Sequence, residues 1–397
     1  PEKSAFSSHG APLAGLRPIS QKLHLSMPSL VKNAVRKTLH TLEMPYDAVK
    51  HGVKRTARWY KPVRIAAYRG FGNRQQRHLL GRVLEDREIG TASDDDPWWK
   101  NSLAMIRRFR TDEIPNCPIE GAMDDETHRV ETDNEGYFRV DFHNPLPDGG
   151  QQLWHDVKLR LLDEVSRGQG EVRTKGEILI PPESAQFGVV SDIDDTILKS
   201  SANDVLRLAI LTFFNNAHTR SPFPHVAAFY QALQEGVEAA TGPNPIFYVS
   251  SSAWNIYDLL DDFMQVQDIP RGPILLRDLG VDSTKLLKTS HEHKLQKIEQ
   301  IFAYYPQLPF LLIGDSGQRD PWLYREVVRH YPGRVAAIYI RDVDAPRRDE
   351  VEEIVAEVRE AGVPMLLMAD AREAAEHAVA EGFISQEQKQ RVQASGP

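Results

Sequence analysis

The chain has 397 residues, 41% hydrophobic and 26% charged, with a formal net charge of −8; this is a soluble globular composition, and the length leads us to expect two or three folded units. No apolar run reaches the roughly 18 residues of a spanning helix, and the negative balance argues against nucleic acid as a partner. The single cysteine, Cys117, leaves no intrachain disulfide and no CxxC metal site and is compatible with a reducing compartment.

The opening PEKSAFSSHGAPLAG lacks the charged start and apolar run of a secretory signal, and a cytoplasmic location is expected. Residues 1–61 read as a basic, partly helical segment. From Val31 to Arg64 the charges are Lys32, Arg36, Lys37, Lys50, Lys54, Arg55, Arg58, Lys61 and Arg64, opposed only by Glu43 and Asp47. Val31, Val35, Leu39 and Leu42 recur at helical spacing, which predicts an amphipathic helix up to Pro45 and a second piece over 46–59. Two readings stand: a solvated helix packed on its own protein, or peripheral attachment to an anionic membrane surface.

Residues 62–184 change texture. VRIAAYRG, HLLGRVLED, GYFRVDF, WHDVKLRLL and EVRTKGEILI are short and alternate, and Val157, Leu159 and Leu161 fall on one face. TDNEGYFRV places a turn before a strand. DDDPWWKNSLAMIRRF, over 94–110, predicts a helix with an acidic, proline-containing start. The expectation is a β-sandwich-like accessory domain, and TDNEGYFRV in this setting resembles transthyretin-like accessory domains.

Residues 185–397 change again. FGVVSDIDDT, PIFYVSSS, FLLIGDS and RVAAIYIR are continuous apolar runs ending in polar residues, with helical segments between them. That pattern predicts an α/β unit with a parallel sheet covered on both faces, which gathers ligands at the carboxyl ends of its strands. Each polar cluster sits at such an end. Asp192, Asp194 and Asp195 follow the strand Phe187 to Val190, and clustered carboxylates there call for a cation, with Mg²⁺ suited to hard oxygen ligands; the plainer reading is a solvated loop with Asp195 capping a helix. Ser250, Ser251 and Ser252 end the strand Pro245 to Val249 before a helix over 254–263, as a phosphate cradle or as a simple cap. Lys294 lies in a predicted helix and alone reads as a surface charge. Gly314, Asp315 and Asp320 follow the strand Phe310 to Ile313, where glycine permits close backbone approach. The stretch 199–244 is too long for a plain crossover and predicts a small helical cap in which His218 and Arg220 either meet the substrate or make structural bonds. Trp254 and Asn255 are further candidates for the pocket wall, although a tryptophan there is more often core.

DxDxT, a strand ending in serine, a lysine and GDxxxxD, in that order, resemble the four motifs of haloacid dehalogenase-like phosphotransferases. FGVVSDIDDTI, LTFFNNAHTRSPFPHVAAFY, PIFYVSSSAWNIYDLL and LLIGDSGQRDPWLYREVVRHYPGRVAAIYIR look like the catalytic domain of actin-patch-type phosphatidate phosphatases, over roughly 186–370. The resemblance implies a Rossmann-like sheet and a role for each residue. Asp192 would be the nucleophile and Asp194 the general acid and base. Mg²⁺ would be held by Asp192, Asp194 and Asp315 with Asp320 close by. Lys294 would balance negative charge, and Ser250, with Ser251 beside it, would bind phosphoryl oxygens. Thr196 braces the loop. The expected reaction is Mg²⁺-dependent hydrolysis of a phosphomonoester, with a lipid phosphate such as phosphatidate as substrate. The alternatives are a soluble sugar or nucleotide phosphate and a non-catalytic interaction protein with a vestigial core. A dehalogenase or mutase is disfavoured, because a dehalogenase does not need Asp194.

Overall fold

Between residues 63 and 179 the alternating runs become strands: β1 (Val63–Ala67), β2 (Gly70–Gly72), β3 (Arg77–Glu85), β4 (Pro118–Met123), β5 (Glu126–Glu131), β6 (Tyr137–Phe142), β7 (Trp154–Leu161) and β8 (Arg173–Leu179). The computed structural model describes residues 62–85, 113–147, 150–193, 196–197, 225–237, 242–277 and 290–395. The helices expected over 31–45, 46–59 and 94–110 lie outside these residues, as do most of the expected cap and the side chains of Asp194, Asp195, His218 and Arg220. Among the described residues no helix is long and apolar enough to cross a membrane.

The eight strands form one hydrogen-bonded sheet in the order β1-β3-β2-β8-β7-β4-β5, with β6 paired to the opposite edge of β3. Alternation drives its packing. Val157, Leu159 and Leu161 of β7 turn inward with Leu79, Val83, Val140 and Phe142, while Asp156 and Lys158 face out. Each fully buried aliphatic side chain here contributes about 1.5–3 kcal/mol. The turn before β6 forms as its sequence predicts: the Asp133 carboxylate accepts the N–H groups of Glu135 and Tyr137, both at 2.9 Å, and Gly136 takes φ +77°.

The continuous apolar runs build a second, six-stranded sheet in which every pair is parallel: β9 (Gly188–Asp192), β10 (Ile246–Ala253), β11 (Ile274–Arg277), β12 (Phe310–Asp315), β13 (Val335–Arg341) and β14 (Met365–Met368), in the order β11-β10-β9-β12-β13-β14. Its strands are buried on both faces. Leu311 and Ile313 join one core, with α1 (Val226–Glu235), α2 (Tyr257–Val266), α6 (Ala371–Ala380) and α7 (Gln386–Ala394). Phe310 and Leu312 join the other, with α3 (Ser290–Tyr304), α4 (Asp320–His330) and α5 (Arg348–Glu360). This alternation explains the unbroken hydrophobicity of the runs.

Both sheets belong to one compact unit. The segment from β1 to β2 ties them together. Phe71 packs edge-on against Phe247 at 5.6 Å, the Tyr305 hydroxyl donates to the Gly72 carbonyl at 2.9 Å, and the Arg69 guanidinium pairs with Asp261. Tyr68 lies 4.8 Å from Trp254 and 4.5 Å from Tyr257, so Trp254 is core packing.

Candidate active site

Strands β9 and β12 are neighbours, and both run two residues beyond the ends read from the sequence, to Asp192 and to Asp315. Parallel pairing therefore brings two carboxylates to the same edge of the sheet. The chain then turns, and α4 begins at Asp320 with proline next. Asp192, Asp315 and Asp320 are buried, and one carboxylate oxygen from each lies within 4.8 Å of the others. Close approach requires Gly314: a Cβ there would sit 2.6 Å from Asp320 Oδ2 and 2.9 Å from the Tyr324 ring. The Asp315 N–H donates to Asp320 Oδ2 at 3.3 Å.

Lys294, one turn into α3, reaches this cluster rather than solvent and is only 5% exposed. Its ammonium lies 2.8 Å from Asp192 Oδ1 and 2.9 Å from Asp320 Oδ1. Burial disfavours its charged form, but the Asp192 and Asp320 carboxylates and the hydrogen bonds to them outweigh that, and its pKa is raised above the ordinary lysine range. Three carboxyl side chains gather around one ammonium in a buried pocket, a negative formal balance. An all-oxygen donor set with that charge is suited to a divalent cation, and Asp192, Asp315 and Asp320 could hold one.

The loop between Asp315 and Asp320 completes the cluster. Gln318 donates its amide to Asp192 Oδ2 at 3.1 Å and accepts from Lys294 at 3.2 Å. The Ser316 hydroxyl accepts the N–H groups of Val343 and Asp344 at 2.9 and 3.1 Å, fastening this loop to the one after β13. Beneath the site, Ser191 donates to the Asp192 carbonyl at 2.7 Å and shares a 2.6 Å hydrogen bond with the Tyr230 hydroxyl of α1. Gln318 and Ser316 sit inside GDSGQRD, where the sequence reading gave them no role. Tyr230 carried no signal, because an aromatic on the inner face of a helix reads as core.

The serine cluster is placed differently from its expectation. β10 continues through Ser250, Ser251 and Ser252 to Ala253, a short 3₁₀ turn follows at 254–256, and α2 starts only at Tyr257 with no side-chain cap. The serines are therefore strand residues, and none of them caps the helix that follows. All three are buried, and the Ser250 hydroxyl accepts the Ser252 N–H at 3.0 Å. The hydroxyls of Ser251, Ser252 and Thr196 are buried without a hydrogen-bond partner among the described residues. Such groups each cost about 1–3 kcal/mol unless a polar ligand reaches them.

Residues 187–342 match the family described as "Phosphatidate phosphatase APP1, catalytic domain". Asp192, Ser250, Ser251, Lys294, Asp315, Gln318 and Asp320 all fall inside the segment that resembles the APP1 catalytic domain, and the eight-stranded sheet falls outside it. The phosphatidate phosphatase APP1 of Saccharomyces cerevisiae is 30% identical over 170 residues, which is 41% of this chain and 28% of the yeast protein. An uncharacterized protein of Schizosaccharomyces pombe is 23% identical over 263 residues, 64% of this chain and 42% of that protein. The chain thus spans less than half the length of either curated relative. Among solved structures, a carbohydrate acetylesterase from Xanthomonas citri aligns over 73% of this chain and 72% of its own at 14% identity, with a TM-score of 0.24, too low to carry an argument about fold or function.

Proposed function

We propose that this protein is a Mg²⁺-dependent phosphomonoester hydrolase that works through an aspartyl-phosphate on Asp192, with a lipid phosphate such as phosphatidate as its substrate. The observation that carries the reading is the buried junction of Asp192, Lys294, Asp315 and Asp320 at the carboxyl edge of a parallel sheet, inside the segment that resembles the APP1 catalytic domain. On this reading residues 185–397 are a haloacid dehalogenase-type unit whose cap lies before α1, because Val226–Glu235 packs into the core of the sheet and does not belong to the cap expected over 199–244, and residues 62–184 are its accessory domain.

An Asp192 oxygen attacks phosphorus in line, and the bond from phosphorus to the ester oxygen breaks. Asp194 gives its proton to the departing alkoxide. Water then attacks the aspartyl-phosphate, Asp194 takes a proton from it, and inorganic phosphate leaves with Asp192 restored. Lys294 holds Asp192 through Oδ1 and offsets the negative charge that gathers during both steps. The Ser250 hydroxyl, with Ser251 next to it, would donate to phosphoryl oxygens, and Thr196 braces the turn after Asp192. His218 and Arg220, in the cap, would contact the substrate headgroup. Mg²⁺, bound by Asp192, Asp194 and Asp315 with Asp320 beside them, would lower the repulsion between a carboxylate and a phosphate dianion.

A lipid substrate implies a surface to work on. The basic segment up to Arg64 would supply the contact with an anionic membrane, and a cytoplasmic protein attached at the periphery would meet such lipid. The experiment is a phosphate-release screen with phosphatidate in mixed micelles beside soluble sugar and nucleotide phosphates, each with Mg²⁺ and with excess chelator. Release from phosphatidate with Mg²⁺ supports the reading. Preference for a soluble ester moves the substrate class, and no release from any ester refutes a phosphatase.

A further inference from the structure

We propose that Gln318 is a positioning residue for Asp192, setting the plane of the carboxylate so that one oxygen is aimed for attack; this rests on the reading of Asp192 as the nucleophile. Asp192 is held at both oxygens from two directions: Lys294 lies 2.8 Å from Oδ1, and the Gln318 amide donates to Oδ2 at 3.1 Å. The two holders also engage each other, because Lys294 donates to the Gln318 carbonyl oxygen at 3.2 Å. The direction of the amide follows from its neighbours, since an ammonium can only donate and a carboxylate can only accept.

The need for a second contact is physical. The last torsion of an aspartate is broad, so one hydrogen bond leaves the carboxylate able to swing. In-line attack needs the reacting atoms about 3–3.5 Å apart and aligned, and a misplacement of about 1 Å costs roughly 100-fold. Glutamine suits this place because its amide accepts from the lysine and donates to the aspartate at once. Glutamate keeps only the acceptor and sets a negative charge against Asp192. Asparagine is one methylene shorter.

The loop holds the amide still. The Gln318 N–H donates to Asp315 Oδ1 at 2.8 Å. From outside, Arg347 donates to the carbonyls of Gly317 at 3.2 Å and Gln318 at 3.4 Å, and its guanidinium lies 4.6 Å from the centre of the Trp322 ring. A Cβ on Gly317 would come within 3.1 Å of Asp315 Oδ1 and 3.0 Å of Val343, so the turn stays tight. The carboxylate at the end of β12 thus sets the backbone of the residue that orients the carboxylate at the end of β9.

The test uses the full chain with Gln318→Met, which keeps length and volume, and Gln318→Glu, which keeps the acceptor and loses the donor. For both, kcat is expected to fall about 10- to 100-fold with KM changed less than about threefold, because orientation matters in the transition state and little in substrate binding. Crystal structures of wild type and Gln318→Met give a readout that needs no turnover: the Asp192 carboxylate is expected to rotate or to occupy two orientations while Lys294 and Asp320 keep their places. An Asp192 carboxylate unmoved in Gln318→Met overturns the proposal, as does a kcat within about twofold of wild type for either variant. If the wild-type protein releases no phosphate from any ester, the phosphatase reading fails, and the orientation of Asp192 in the two crystals still decides the role of Gln318.

Discussion

Lys294 carries its charge into a pocket with three buried carboxylates, so its removal has a definite consequence. Replacing it by methionine leaves Asp192 and Asp320 without their cation, and breaking a buried pair in this way costs about 3–5 kcal/mol. Calorimetry of Lys294→Met should show a Tm well below wild type in chelator and a partial recovery with Mg²⁺; a Tm indifferent to Mg²⁺ would argue against a cation among these carboxylates. The pH dependence has a sign. A pKa raised on folding means that the lysine's stabilisation is complete below the unfolded value of 10.5 and is lost only as pH rises through the higher folded value. The stability difference between wild type and Lys294→Met is therefore expected to be flat from neutral pH to about pH 10. Gly314→Ala is the companion test. Its Cβ would displace the Asp320 carboxylate, so divalent-cation affinity measured by titration calorimetry should fall, and an unchanged affinity would remove Asp320 from the cation's surroundings. The acidic residues were legible as motifs, whereas Lys294 was legible only through the family resemblance and not from its own surroundings in the sequence. A lysine in SHEHKLQKIEQIF reads as exposed until α3 packs it over the strand ends, because burial of a charge is a property of tertiary contact.

At the scale of elements, the join between the sheets is open to test through His78 on β3. It is 2% exposed, its Nδ1 shares a 2.9 Å hydrogen bond with the Tyr304 hydroxyl of α3, and Phe71 lies edge-on at 4.6 Å. Burial lowers its pKa to about 3; Arg139 and Lys297 push the same way, and Asp141 opposes them. The neutral imidazole is the folded form. Its contribution is complete above the unfolded value of 6.5 and is lost as pH falls toward 3. At about 1.4 kcal/mol per unit the loss is at most roughly 5 kcal/mol. Urea unfolding of wild type and His78→Phe at neutral pH and near pH 4.5 should show the wild type losing more stability; parallel losses would mean that the imidazole is already protonated in the fold. The strands that went unread share a physical cause. β4 turns Ile119, Gly121 and Met123 inward, and its glycine, which reads as a turn, is needed because a Cβ would strike Val140 at 2.9 Å. β5 buries few of its residues, so ETHRVE shows no apolar alternation. β11 and β14 have four residues each, too short for a periodic signal. Strand ends were read early because polar residues look like loop, whereas pairing with neighbours carries β9, β10 and β12 through Asp192, Ser252 and Asp315.

In the whole molecule a parallel α/β sheet carries the acidic junction and packs beside an eight-stranded sheet that lies outside the family match. The proposed membrane contact of the basic segment is tested by vesicle sedimentation of the full chain against one starting near Pro62. Each lysine or arginine near an anionic surface contributes about 1 kcal/mol, screened over roughly 8 Å at physiological salt. The full chain should bind anionic vesicles, less so as salt rises, and the shorter one should not; equal binding by both would return the segment to a structural role. The central claim, that Asp192 carries the phosphoryl group, has a more direct test. Borohydride added during turnover reduces an aspartyl-phosphate to homoserine, and peptide mass spectrometry locates the altered residue. The account predicts homoserine at position 192, absent without substrate and absent from Asp192→Asn, whose turnover should fall by at least about 1,000-fold at an unchanged Tm. Reduction at another carboxylate, or steady turnover by Asp192→Asn shown to be free of deamidation, would contradict it.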